Sequence, residues 1–120
     1  IYTFVLLTGF FSGFAVWWLP YLYIWLPLWA VTMFLSKRLP PKKHAVLYML
    51  ISAAHGLLYG TLYAPAQALL FGLDFKSTVA WIIAGLPWDA VHGAGNFVAG
   101  ILIVPLISIM EICERTSKKE

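Results

Sequence analysis

Long apolar runs separated by short polar stretches organise this chain of 120 residues. Residues 1–18 and about 21–35 are apolar, and between them lies WWLPY, whose proline and aromatic residues favour a tight turn at a membrane interface. A polar connector, SKRLPPKKH, occupies residues 36–44, and further apolar runs cover residues 45–72 and about 86–112. Because a hydrocarbon core of about 30 Å requires roughly 20 apolar helical residues, the pattern predicts four transmembrane helices. The first two runs are short, which leaves open that one of them is partly re-entrant.

The last two runs differ in length and in how clearly they begin. The third has 28 residues, or about 42 Å of helix, so it must tilt or protrude from the bilayer. The stretch LDFKSTVAW, which follows it, predicts a loop that leads to an interfacial piece, so that residues 73–88 lie between the two helices. The fold expected is an all-α integral membrane protein, a helical bundle in a single transmembrane domain.

Composition supports the membrane assignment, since 62% of the residues are hydrophobic and only 11% are charged. The apolar runs are too many and too long for a secretory signal peptide. Ile1 already lies inside an apolar run, which favours an N-terminally incomplete fragment of a longer protein.

The basic residues predict an orientation rather than a nucleic-acid surface. One cluster lies in the connector and a second at the C-terminus, whereas the stretch between the last two runs holds only Lys76. Because basic loops remain in the cytoplasm, both clusters and the C-terminus are expected on the cytoplasmic side of the membrane. The WWLPY turn and residues 73–88 then lie outside. The two clusters are Lys37, Arg38, Lys42 and Lys43, and Arg115, Lys118 and Lys119.

Small residues recur every four positions along the third run, and they predict close helix packing. Such a row lets another backbone approach, which matters because lipid offers no hydrophobic drive for helix association. Pro65 and Pro105 fall inside runs, where they produce either ordinary kinks or a cavity. The row consists of Ser52, Gly56, Gly60, Ala64, Ala68 and Gly72.

Three polar side chains form a stripe at the beginning of the last run. Asp89, His92 and Asn96 have the spacing i, i+3 and i+7, which places them on one face of a helix. Pro87 suits a first helical turn, and Asp89 close to that turn is favoured by the helix dipole. The stripe is therefore expected in the outer third of the membrane, open to the outside.

Each of these residues also has a plainer interpretation. Asp89 could cap its own helix at the water boundary. His92 and Asn96 are costly in hydrocarbon unless they face the bundle interior or a wet cavity, and there they could serve only to hold helices together. His55 lies nearer the cytoplasm and is interpreted as a structural hydrogen-bonding residue.

Further residues are expected at the same depth as the polar stripe. Gln67 and Tyr63 lie near the outer end of the third helix and would complete a polar site. Trp81 and Trp88 would ring that level, either as an interfacial aromatic belt or as stacking surfaces for a ligand.

The sequence contains no pattern typical of metal binding, nucleotide binding or nucleophilic catalysis. The histidines and the aspartate have no HExxH-like or closely paired spacing, so no metal site and no cofactor are expected. Cys113 is alone, which excludes an internal disulfide. No P-loop, GxSxG or glycine-rich nucleotide fingerprint occurs, and we expect neither a catalytic residue nor an ATPase in this chain.

The run GLPWDAVHGAGNFVAGILIVPLI resembles the C-terminal part of the substrate-binding S components of energy-coupling factor (ECF) vitamin transporters. It follows a span rich in small residues and a basic loop, and the similarity extends over roughly residues 45–110. The positions that carry the resemblance are Gly85, Pro87, Trp88, Asp89, His92, Gly95 and Asn96.

The resemblance implies a six-helix bundle with both termini in the cytoplasm, which binds a vitamin or related micronutrient near its outer face. A separate module of two ATPases and a transmembrane coupling subunit would drive transport. This chain departs from the family pattern in having four predicted spans, and the absence of the first two helices of the fold is the expected explanation.

We therefore expect a substrate-binding membrane subunit whose partners are a vitamin-like small molecule, membrane lipid and the ECF module, with no nucleic acid. The alternative is a small structural or accessory membrane protein whose polar residues only pack helices. An intramembrane enzyme that uses His92 and Asp89 as acid and base is a third, less favoured hypothesis. The residues expected to bind substrate are Asp89, His92, Asn96, Gln67, Trp88, Tyr63 and Trp81.

Overall fold

Helices and short connections make up the part of the chain that the computed structural model describes, residues 1–118. No strand occurs within that range. The seven α-helices are α1 (Tyr2–Ser12), α2 (Tyr21–Ile24), α3 (Leu26–Ser36), α4 (Ala45–Leu57), α5 (Tyr59–Phe71), α6 (Phe75–Ala99) and α7 (Ile103–Ser117). Two 3₁₀ turns, Val16–Trp18 and Gly100–Leu102, precede α2 and join α6 to α7.

Three helical segments are long and apolar enough to cross a membrane: Val16–Ser36, Ala45–Phe71 and Phe75–Ser117. They confirm the helical class and indicate a membrane protein. The fourth expected span, over residues 1–18, is not confirmed, because α1 has 11 residues. A helix of that length rises about 16 Å, roughly half of the hydrocarbon core.

The predicted loop over residues 73–88 is wrong. α6 begins at Phe75 and continues through a 3₁₀ turn into α7, so that the last segment has 43 residues and measures about 64 Å along its path. Pro87 therefore lies inside the helix and not in its first turn. The predicted last span, about 86–112, covers only part of this segment. A helix of this length exceeds the hydrocarbon core and must tilt or protrude.

The turn between α5 and α6 explains why the helix begins so early. Gly72 adopts a left-handed conformation (φ 62°) that ends α5. Asp74 then caps α6, since its side chain accepts a hydrogen bond of 2.8 Å from the backbone N–H of Ser77. Ser77, through its hydroxyl and its backbone N–H, lowers the pKa of the Asp74 carboxyl below its ordinary value. The polar residues from which a loop was predicted therefore include the residues that cap the N-terminus of α6.

The antiparallel packing of α4 on α6 is the most extensive contact between elements of the described chain. A Cβ at Gly56 would lie 2.7 Å from the backbone nitrogen of Gly93, and a Cβ at Gly93 would lie 2.7 Å from Cγ of Leu57. The two backbones therefore approach as closely as the row of small residues predicts. A Cβ at Gly100 would meet Met49, which continues the same antiparallel register.

The connector and the end of the last segment lie at one end of the bundle. Lys42 forms an ion pair of 2.6 Å with Glu111 in α7, and the two side chains are 40% and 44% exposed. The basic residues of the connector are therefore close to those that follow Glu111 in the described chain.

Side-chain donors and main-chain acceptors join the N-terminal elements to each other and to α5. The indole of Trp18 donates to the carbonyl of Val5 (2.7 Å), and Tyr23 donates to the carbonyl of Leu62 (2.8 Å). Val5 is completely buried. The first bond holds the 3₁₀ turn against α1, and the second holds α2 against α5.

Candidate functional site

Asp89 lies deep in the bundle, 14 residues after the first residue of α6, and is only 3% exposed. Its two carboxyl oxygens accept hydrogen bonds of 2.9 and 3.1 Å from the backbone N–H of Gly60. Gly60 belongs to the first turn of α5, whose N–H groups lack partners within the helix. Asp89 therefore caps a neighbouring helix, and the interpretation that it caps its own helix at the water boundary is wrong.

The break at Leu58 creates the position that Asp89 caps. Leu58 adopts φ −96° and ψ 3°, so α4 ends at Leu57 and α5 begins at Tyr59. A side chain on Gly60 would displace the carboxyl, because its Cβ would lie 2.7 Å from Oδ2 of Asp89. The absence of a side chain at Gly60 therefore provides the space that the Asp89 carboxyl occupies.

Asn96 also bonds to the opposing segment. Its side-chain nitrogen donates a hydrogen bond of 3.1 Å to the backbone carbonyl of Ser52 in α4. At this position the interpretation of Asn96 as a residue that holds helices together agrees with the geometry. Its side chain also lines the cavity described below, so the two roles are compatible.

His92 is the most accessible member of the polar stripe, with a side chain 47% exposed. Its Nδ1 lies 3.8 Å from Oδ1 of Asp89, which is too long for a hydrogen bond. Its ring lies 4.7 Å from the ring of Tyr59. The imidazole nitrogens therefore remain available to a molecule that enters between α5 and α6.

A cavity of about 240 Å³ lies between the N-terminal helices and the α4–α6 pair. α1 contributes Phe4 and Thr8, and the α2–α3 junction contributes Tyr21 and Trp25. The remaining lining residues are His55 of α4, Tyr59 of α5, and His92 and Asn96 of α6. Mostly aromatic walls with a few polar groups are typical of small-molecule sites.

Two polar atoms of the lining residues are buried without a hydrogen-bond partner in the described chain. His55 is 6% exposed, and its Nε2 lies 2.7 Å from the carbonyl oxygen of Ile24. Because a carbonyl only accepts, Nε2 carries the hydrogen, and Nδ1 of the neutral ring is an acceptor. That Nδ1 and the indole nitrogen of Trp25, a donor, are the two unpaired atoms. The structural hydrogen bond expected of His55 is therefore present, but it uses only one of the two ring nitrogens.

Five of the seven expected binding residues do not line this cavity: Asp89, which caps α5, and the four described next. Trp88 is 71% exposed on the outer face of α6. Tyr63 stacks on Trp81 with ring centroids 5.9 Å apart, and its hydroxyl donates to the carbonyl of Trp17. Gln67 is half-buried farther along α5. Tyr63 and Trp81 thus fasten the 3₁₀ turn at Trp17 to α5 and α6.

Sequence patterns missed most of the N-terminal half of the cavity. Phe4, Thr8, Tyr21 and Trp25 stand in apolar runs whose periodicity does not indicate which neighbour they face. Tyr59 had a usable signal, since it follows His55 by four residues and therefore shares its helical face.

Within residues 1–118, no group of three His, Cys, Asp or Glu side chains is arranged to hold a metal ion. No protein-family model, no curated protein and no solved structure matches this chain.

Proposed function

We propose that this chain is a membrane-embedded binding subunit that captures a small molecule in the cavity between α1, the α2–α3 junction and α4–α6. The observation that carries the proposal is the pair of buried, unpaired polar atoms, Nδ1 of His55 and Nε1 of Trp25, on residues that line this cavity. Leaving such groups without partners is costly, and a bound ligand that pairs with them recovers that cost.

The finer proposal is that the protein is the S component of an ECF-type importer for a vitamin or related micronutrient. It is supported by the resemblance of the run from Gly85 to Asn96, which includes cavity-lining His92 and Asn96. In this proposal the chain forms part of a six-helix bundle in the prokaryotic cell membrane. Two ATPases and a transmembrane coupling subunit supply the energy, so this chain acts by binding and not by catalysis.

The proposed orientation places the connector and the C-terminus in the cytoplasm. The ion pair between Lys42 and Glu111 supports it, because it brings the two basic clusters to one end of the bundle. The turn at Gly72 then faces the outside.

A second candidate is a structural or accessory membrane protein whose polar residues only join helices. The bonds from Gly60 to Asp89 and from Asn96 to Ser52 favour it, since both connect α6 to main-chain groups of the opposing segment. His92 separates the two candidates, because its nitrogens make no such bond within residues 1–118.

The test is to purify the protein, at its full natural length, in mild detergent and to identify co-purifying small molecules by mass spectrometry. We expect one vitamin-like compound with the wild type and loss of that compound with His92→Ala at unchanged melting temperature. Val91→Ala is the matched control, since Val91 is adjacent on α6 and exposed. The structural candidate is supported instead if no compound co-purifies and none of a vitamin panel binds.

A further inference from the structure

The two unpaired atoms are chemically complementary, and they lie on neighbouring rings. The indole nitrogen of Trp25 can only donate, whereas Nδ1 of His55 accepts because Nε2 donates to Ile24. The two rings are stacked with centroids 5.4 Å apart and an interplanar angle of 29°. A small molecule that carries an acceptor and a donor on the same edge is therefore chemically complementary to this pair of atoms.

The charge of the surroundings restricts the ligand further. None of the described residues that line the cavity is a lysine or an arginine. The nearest acidic group is the carboxyl of Asp89, 3.8 Å from Nδ1 of cavity-lining His92. An anionic ligand would thus find no lysine or arginine in the lining, and the ionised form of Asp89 would repel it.

The volume and the aromatic lining of the cavity limit the size and the shape of the ligand. A cavity of about 240 Å³ is smaller than the roughly 300 to 1,000 Å³ typical of drug-sized ligands. The rings of Trp25, Tyr59 and His92 offer flat apolar surfaces, which favour a planar ring in offset or edge-to-face contact.

From these features we propose that the cavity binds an uncharged, planar nitrogen heterocycle of about one ring, which accepts a hydrogen bond from Trp25 and donates one to His55. This inference rests on the proposed binding function and deepens it, since it names the chemical class of the ligand.

Three simple probes test the class: 4-aminopyrimidine, which has the acceptor and the donor, pyrimidine, which lacks the donor, and pyrimidine-4-carboxylate, which is anionic. Binding to the purified protein, stripped of co-purified ligand, is measured by equilibrium dialysis. We expect 4-aminopyrimidine to bind about tenfold more tightly than pyrimidine, because only it pairs with His55. The carboxylate should bind most weakly of the three.

The variant Trp25→Phe removes the indole donor and retains an aromatic ring. We expect about tenfold weaker binding of 4-aminopyrimidine and a melting temperature that is unchanged or higher, since the N–H that is removed has no partner in residues 1–118. Trp88→Phe is the control, because Trp88 is exposed and lies outside the cavity, and it should bind the probe as the wild type does.

Tighter binding of pyrimidine-4-carboxylate than of 4-aminopyrimidine would overturn the inference, as would unchanged probe binding in Trp25→Phe. Either result leaves the proposed function intact if a compound still co-purifies with the wild type and is lost with His92→Ala. Absence of any co-purifying or vitamin ligand, in contrast, contradicts the proposed function itself.

Discussion

Asp89 and Asn96 perform the same structural task from one face of α6, because each bonds to a main-chain group of the α4–α5 segment. In a membrane such bonds stabilise helix association only modestly on average, but an unpaired N–H in the interior is expensive. The Gly60 N–H has its partner in Asp89, whereas the Ser52 carbonyl already belongs to a helix. The two residues should therefore differ in their contribution to stability.

Asp89→Ala should lower the free energy of unfolding by about 2 kcal/mol, since it leaves the N–H of Gly60 unpaired in the first turn of α5. Asp89→Asn retains one acceptor oxygen and should cost less. The measurement is thermal or denaturant unfolding in detergent. Equal losses in the two variants would show that the hydrogen bond to Gly60 is not the stabilising interaction.

Asn96→Ala should cost about 0.5 to 1.5 kcal/mol, because it removes one neutral hydrogen bond to Ser52. The same unfolding measurement checks it, with Val98→Ala, an exposed position on α6, as the control. A loss larger than that of Asp89→Ala would contradict the ranking argued above.

At the scale of elements, the closest approach of α4 and α6 depends on positions that have no side chain. Gly56 and Gly93 face each other across this interface, whereas Gly95, two residues along α6, has no atom within 4 Å of a built Cβ. Gly93 and Gly95 therefore have different roles although both lie on α6. The presence of small residues in the sequence does not by itself distinguish them.

Gly56→Ala should destabilise the bundle by about 1 to 3 kcal/mol, because the new methyl group would lie 2.7 Å from backbone atoms of His92 and Gly93. Gly95→Ala adds the same methyl group in open space and should be neutral or stabilising by up to about 1 kcal/mol. Unfolding of the two variants side by side gives the comparison. Similar melting temperatures for both would rule out the tight α4–α6 contact.

At the scale of the whole molecule, three segments are long and apolar enough to cross a membrane, and crossing by all three would place consecutive connections on opposite sides. The connector that holds Lys43 follows the first segment, and the turn at Gly72 follows the second. The described end of α7 is then on the side of the connector, as the contact between Lys42 and Glu111 requires.

Single cysteines should report this arrangement in intact cells. In a Cys113→Ser background, Lys76→Cys should react with a membrane-impermeant maleimide, whereas Lys43→Cys and Lys118→Cys should react only after the membrane is permeabilised. Labelling of Lys76→Cys and Lys43→Cys from the same side is the outcome that the three-segment arrangement does not permit.

The sequence predicts the features that depend on neighbours along the chain. Apolar runs indicated the membrane class and the segment over residues 45–72, and helical spacing placed Asp89, His92 and Asn96 on one face. The row of small residues identified the close approach that Gly56 and Gly93 now show. Local hydrophobicity and helical periodicity suffice for such features, because they are written in residues a few positions apart.

Tertiary structure decided which groups meet across the bundle. The partners of Asp89 and Asn96 lie 29 and 44 residues away in the chain, and the cavity joins α1 and the α2–α3 junction to α4–α6. The break at Leu58 and the early start of α6 at Phe75 determine these pairings, and hydropathy revealed neither. A hydrogen bond between helices that are distant in the chain depends on how their backbones pack. Residue spacing along one helix shows which side chains share a face, but it does not show which element packs against that face.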